Sequence, residues 1–179
     1  MSAEHVRCNW ATSDPLYIAY HDEEWGRPVR DERGLYERLC LEGFQSGLAW
    51  ITILRKRDAF RDAFAGFDPE QVARFGERDV ERLLGDPGIV RHRGKIEAAI
   101  ANANGVLGLR AAGTPLNELM WEYLDQPDAK ELSKRLKTAG FRFVGPTTAY
   151  AAMQACGIVD DHIPDCWVRE EVERARRAG

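Results

Sequence analysis

Long hydrophobic runs are missing from this sequence. No stretch reaches the roughly 18 apolar residues that a membrane span requires, and the opening MSAEHVRCNW lacks the apolar segment of a secretory signal. A cytoplasmic protein with no membrane partner is the expectation. Cysteine is scarce too. Four in 179 residues (Cys8, Cys40, Cys156, Cys166) cannot build a disulfide scaffold, and a reducing compartment keeps them as thiols. They are core thiols or metal ligands. An excess of positive charge is absent: 25 Lys and Arg stand against 29 Asp and Glu, for a net charge of −4. No global basic field draws the chain to a polyanion, so any nucleic-acid surface must be built locally. Alternating β-branched runs joined by hairpin turns are missing as well, as are internal repeats and low-complexity linkers. That leaves little basis for a sheet.

What is present reads as helix. Hydrophobic residues make up 44% of the chain, enough for a real core at this size. Asp68-Pro69 is an N-cap followed by proline at the first helical position. EAAIANANGVLGL and TPLNELMWEYL have helical spacing, and KELSKRLKTAG stops on Gly140. An all-α fold of roughly eight to ten short helices follows, in a single domain over 1–179. Positive charge gathers locally in RKR at Arg55–Arg57, in RHRGK at Arg91–Lys95, and in Lys134, Arg135 and Lys137 ahead of Arg142. Each cluster is either a solvated helix face or part of a nucleic-acid surface.

One apolar stretch carries an anomaly. In LCLEGFQSGLAWITIL, Leu39 to Leu54, Glu42 is the one charged residue of sixteen, although the chain as a whole is 30% charged. In a helix starting near Asp31, Leu35, Leu39 and Glu42 fall at i, i+4 and i+7, on one stripe. A carboxylate on an apolar stripe costs several kcal/mol to bury without donors. A ligand pocket at a helix end, near Gly43 and Gly47, accounts for it better than a solvent-facing turn.

Two further constellations carry chemistry. Cys8 and His21 near the N-terminus, with His162 and Cys166 of HIPDC near the C-terminus, make a complete tetrahedral zinc set. Four protein ligands imply a closed, structural site, one ion per chain; the alternative is two core cysteines and two surface histidines. In GFRFVGPTTAYAAMQACG, a helix-ending glycine precedes a turn at Val144-Gly145 and a new helix near Pro146. Such a hairpin, over about 132–156, can hold a DNA phosphate on exposed N–H groups at a helix N-terminus. An ordinary helical corner is the other reading.

Together these motifs resemble the 3-methyladenine DNA glycosylase I family, a branch of the helix–hairpin–helix DNA glycosylases. The likeness runs from RCNWATSDPLYIAYHDEEWG through LEGFQSGLAWITIL and DPGIVRHRGKI to GFRFVGPTTAYAAMQACGIVDDH. It implies an all-α fold whose N-terminal segment (1–30) and C-terminal segment (157–179) are joined by zinc on Cys8, His21, His162 and Cys166. It implies excision of 3-methyladenine from double-stranded alkylated DNA by a monomer, with the free base as product. Glu42 is then the catalytic residue of the base pocket, a carboxylate that accepts from the donor edge of the adenine, with Trp50, Tyr20, Trp10 and Tyr17 as aromatic walls. Gly145 and Thr147 meet DNA at the hairpin. Thr147 occupies the position of the lysine used by bifunctional relatives, so no strand cleavage is expected. Gln45 and Leu48 either fill the space left by a flipped base or, for Leu48, pack in the core. Asp160 stands where the wider superfamily carries a catalytic aspartate and this family commonly has asparagine; it is either a drift between similar side chains, the favoured reading, or an anionic group near the sugar. Asp161 is expected to orient the metal loop. The competing functions are a zinc-stapled helical DNA-binding module without chemistry and a zinc hydrolase. The latter needs an open metal position and has no H-E-x-x-H here.

Overall fold

The computed structural model describes residues 4–179, and every regular element among them is helical. Residues 1–3 of the N-terminal segment lie outside the described residues. Ten α-helices follow one another: α1 Pro15–Glu23, α2 Glu32–Gln45, α3 Trp50–Ala63, α4 Pro69–Val72, α5 Glu77–Leu84, α6 Arg93–Ala111, α7 Leu116–Trp121, α8 Ala129–Thr138, α9 Pro146–Cys156 and α10 Arg169–Arg177. No helix among them is long and apolar enough to cross a membrane.

Their starts are written in the sequence. Asp14, Asp31, Asp68 and Asp128 each turn a carboxylate back onto a first-turn N–H, those of Leu16, Gly34, Glu70 and Glu131. Proline fills the first helical position of α1, α4 and α9. The C-terminal sequence VREEVERARRAG forms α10 and is pinned: the buried Arg176 donates to the backbone carbonyls of Gly157, at 2.7 Å, and Ile158.

The element that positions the site is α2, which packs against α3, α6, α7 and α9. Leu35, Tyr36, Leu39, Leu41 and Phe44 are fully or almost fully buried along it, in one core with Ile53, Phe60, Phe64, Ile96 and Met153. Gly43 sits inside this helix, where a side chain would come within 3.3 Å of the Phe143 carbonyl. The α8–α9 connection thus approaches α2 closely at Gly43.

Candidate active site

Glu42 ends the buried stripe of α2 at 7% exposure, after Leu35 and Leu39 at 0%. It opens onto a cavity of about 210 Å³ lined by Trp10, Tyr17, Tyr20, Trp25, Gln45, Trp50, Ala151 and Gln154. That volume lies below the roughly 300–1,000 Å³ of drug-sized sites and suits one small planar ring system. A larger groove between α6, α7 and α8, about 500 Å³, is lined by no aromatic ring. Burial pushes the Glu42 carboxyl up to about 7, opposed only by the positive charge of Arg38 one turn earlier. A carboxyl poised near neutrality, without a hydrogen bond among the described residues and facing aromatic rings, is available to a ligand.

The aromatic walls are mutually braced. Trp10 lies 5.4 Å from Tyr17, 6.2 Å from Tyr20 and 5.1 Å from Trp25, and Tyr20 lies 5.6 Å from Trp50. The Tyr17 hydroxyl accepts the Ile51 N–H at 3.1 Å, supplying the cap that Ala49 cannot give to α3 and fixing Trp50 at its start. The indole N–H of Trp50 is buried without a protein acceptor, a donor left over for a bound molecule. Sequence reading missed Trp25, Ala151 and Gln154 as lining residues. The spacing Tyr17, His21, Trp25 is i, i+4, i+8, a signal that could have found the first of these.

Beyond Trp25 lies the cysteine–histidine cluster. Ligand atoms of Cys8, His21 and Cys166 all fall within 4.8 Å of one another and are buried. The fourth candidate, His162, packs edge-on against His21 with ring centroids 5.1 Å apart, and its Nε2 is buried with no protein partner. Both rings are oriented from behind: Nδ1 of His21 lies 2.8 Å from Asp22, and Nδ1 of His162 lies 2.7 Å from Asp160. Nε2 of His162 is thereby left for a Lewis acid, while Nε2 of His21 faces the Cys8 N–H at 3.4 Å and Cys166 Sγ at 3.5 Å; such carboxylate backing is usual behind metal-bound imidazoles. Two thiols and two such imidazoles are a donor set that fits a tetrahedral zinc. The rings of Trp25 and His162 stand 4.7 Å apart, and those of Trp10 and His21 5.2 Å, so the cluster and the aromatic cavity share walls. Cys40 and Cys156 belong elsewhere, as core thiols pushed up to about 12 by burial.

Asp160 and Asp161 divide their tasks differently from expectation. Asp160, and not Asp161, holds the His162 loop; its partners are the His162 ring and backbone N–H, and it does not line the aromatic cavity. Asp161 turns to α9, accepting from Gln154 Nε2 at 2.8 Å and from the Tyr150 hydroxyl. Adjacent residues in an extended loop point to opposite sides, which spacing alone does not resolve.

Gln45 lines the cavity and donates to the Leu48 carbonyl at 2.6 Å, while Leu48 is 39% exposed, so core packing is excluded for it. Thr147 lies exposed in the first turn of α9, a helix without a side-chain cap. Gly145 has an ordinary φ of −56°, and a side chain there would meet nothing within 4 Å. Several of the clustered arginines are engaged by carboxylates of the chain itself. Arg55 pairs with Asp14, Arg57 with Glu24, Arg93 with Glu77 and Glu97, and Arg135 with Glu122. Among the described residues Arg91, Lys134, Lys137 and Arg142 are exposed without an ion pair, the last three flanking the α8–α9 turn.

Comparison with known proteins agrees with this architecture. DNA-3-methyladenine glycosylase 1 of Escherichia coli K12 is 48% identical over 177 residues, covering 89% of this chain and 95% of the relative. A crystal structure of a 3-methyladenine DNA glycosylase I superposes with a TM-score of 0.88 at 47% identity, over 90% of this chain and 98% of that one. The Staphylococcus aureus 3-methyladenine DNA glycosylase I, solved to explain 3-methyladenine recognition, superposes with a TM-score of 0.87 at 37% identity, over 91% and 96%. The family model for methyladenine glycosylases matches residues 10–170. By sequence along nearly its whole length and by fold, the chain belongs to the methyladenine glycosylase family.

Proposed function

We propose that this chain is a monofunctional DNA glycosylase that flips 3-methyladenine out of alkylated duplex DNA and hydrolyses its N-glycosidic bond. The observation that carries the reading is Glu42: a buried carboxyl without a hydrogen bond among the described residues, opening onto a small aromatic cavity. Methylation at N3 leaves the nucleotide base positively charged. A cation beside Glu42 favours its ionised form, and the carboxylate accepts from the donor edge of the adenine. Trp50, Tyr20 and Trp10 supply π faces that attract a cationic ring, and the free Trp50 N–H offers one donor to a ring nitrogen.

The chemistry asks little more of the protein. When the N9–C1′ bond breaks, its electron pair moves onto the base, which leaves neutral, and water captures the cationic sugar carbon and loses a proton to the solvent. Because the lesion carries its own leaving-group activation, the work of the site is extrusion and selection. Gln45 and Leu48, on a turn beside the cavity, occupy the gap left in the duplex. The α8–α9 turn acts as a helix–hairpin–helix element in which Gly145 and the N–H groups around Thr147 receive a phosphate. Lys134, Lys137 and Arg142 supply the local positive field. Thr147 offers no amine, so the phosphodiester backbone stays intact. The relatives' names, each stating a 3-methyladenine glycosylase, support the substrate.

Zinc completes the proposal. Cys8, His21, His162 and Cys166 hold one structural ion, which supplies no chemistry to the reaction. Its ligands brace Trp25 and Trp10 and tie the two terminal segments together. The chain works as a monomer. The test is incubation with methylated duplex DNA followed by chromatography of the released bases. Release of 3-methyladenine with unbroken strands is the expected result. Binding without base release would point to the non-catalytic DNA-binding module.

A further inference from the structure

The RHRGK cluster contains one residue that neither the pocket nor the hairpin accounts for. Lys95 is a lysine at only 8% exposure, on the first turn of α6. Among the described residues no carboxylate pairs with it. Its ammonium donates instead to two backbone carbonyls, Phe44 O at 3.0 Å and Ser46 O at 2.6 Å. Both lie at the end of α2, immediately beyond Glu42.

The second of these carbonyls has a special position. Leu48 N–H donates to Gln45 O at 2.7 Å, with Ser46 at φ −49° and ψ 120° and Gly47 at φ +80°. Those values define a type II turn, which differs from type I mainly by a flip of its central peptide. That peptide joins Ser46 to Gly47, and Lys95 grips its oxygen. Because the peptide is trans, fixing the carbonyl toward Lys95 aims the Gly47 N–H the opposite way. Gly47 is exposed, its N–H finds no backbone acceptor among the described residues, and a side chain on it would meet nothing within 4 Å. The two side chains at the ends of the turn are Gln45, which lines the cavity, and Leu48, which stands exposed.

We infer that Lys95 is a positioning residue for excision from duplex DNA: it locks the Ser46–Gly47 peptide in the type II orientation, so that Gln45, the outward Gly47 N–H and Leu48 meet the DNA as one preset surface. Lys95 touches neither base nor sugar. Its effect therefore falls on duplex engagement and leaves base recognition at Glu42 alone. This role rests on the proposed glycosylase reading.

Two variants test it. Lys95→Met keeps the buried stem and removes the ammonium. Gly47→Ala leaves the core untouched and disfavours only the positive φ that type II needs. Three readouts are compared with wild type: single-turnover excision from methylated duplex, excision from the same lesion in a single-stranded oligonucleotide, and titration of free 3-methyladenine. Since misplacing groups by an ångström can cost a hundredfold, both variants are expected to lose about tenfold or more on duplex, with the other two readouts within about twofold. Wild-type duplex excision by either variant would overturn the role, as would parallel loss of free-base affinity. A wild-type chain that released no base would instead overturn the glycosylase reading and the role with it.

Discussion

Asp160 Oδ1 lies 2.7 Å from Nδ1 of His162 and accepts the backbone N–H of the same residue at 3.1 Å. Burial pushes the Asp160 carboxyl up, but these bonds outweigh it and hold the group below the usual carboxylate range. The aspartate is thus committed to a histidine of the cysteine–histidine cluster, away from the aromatic cavity. Asp160→Asn retains an oxygen for the ring N–H, and its single-turnover excision should fall by less than about tenfold, or 1.4 kcal/mol. Asp160→Ala should lower the zinc content of protein purified without chelator. A thousandfold loss in the asparagine variant, with normal zinc and normal DNA binding, would make Asp160 catalytic.

Glu42 should mark the pH dependence of stability. Its carboxyl is raised from 4.5 to about 7 in the folded chain, so the folded state binds the proton more tightly than the unfolded one. The stability this contributes is complete below pH 4.5 and is lost as the pH climbs through 7. Glu42→Gln removes that loss. The variant should gain on wild type between pH 5 and 8, reaching about 3 kcal/mol, or roughly 6–12 °C in Tm for a domain of this size. Melting curves of both proteins across that range check it. A difference that does not grow with pH would mean that the carboxyl titrates normally.

Gly145 separates the hairpin from the pocket. The backbone at this position suits any residue and a side chain would enter open space, so Gly145→Val should fold and melt as wild type does. Duplex affinity should nevertheless fall, because the added methyl groups stand where a phosphate would approach the start of α9. Free 3-methyladenine should bind unchanged. Fluorescence anisotropy with a labelled duplex gives the first number and calorimetry the second. Equal loss of both affinities would show damage to the fold.

Much of this site is legible in the chain because its key signals are periodic and short-range. The stripe Leu35, Leu39, Glu42 announced a buried acid through helical spacing alone, and Asp31 announced where that helix starts. The four cysteine and histidine positions were legible from donor chemistry, although His162 stands a little outside the tight trio. What spacing hid was pairing at a distance. Arg57 is neutralised by Glu24, 33 residues away, and the Lys95 ammonium is held by carbonyls about 50 residues away, so two basic clusters looked freer than they are. Ala151 and Gln154 reach the cavity only because α9 packs across α2, a tertiary fact that no local pattern encodes.

Titration of free 3-methyladenine into wild-type and Glu42→Gln protein tests the central claim most directly, because the claim is that this buried acid exists for the base. Loss of a charge-assisted hydrogen-bond set should weaken binding by about 1.5–3 kcal/mol, between tenfold and somewhat over a hundredfold in Kd, with zinc content unchanged. Equal affinity of the two proteins would contradict the account and assign Glu42 to the fold.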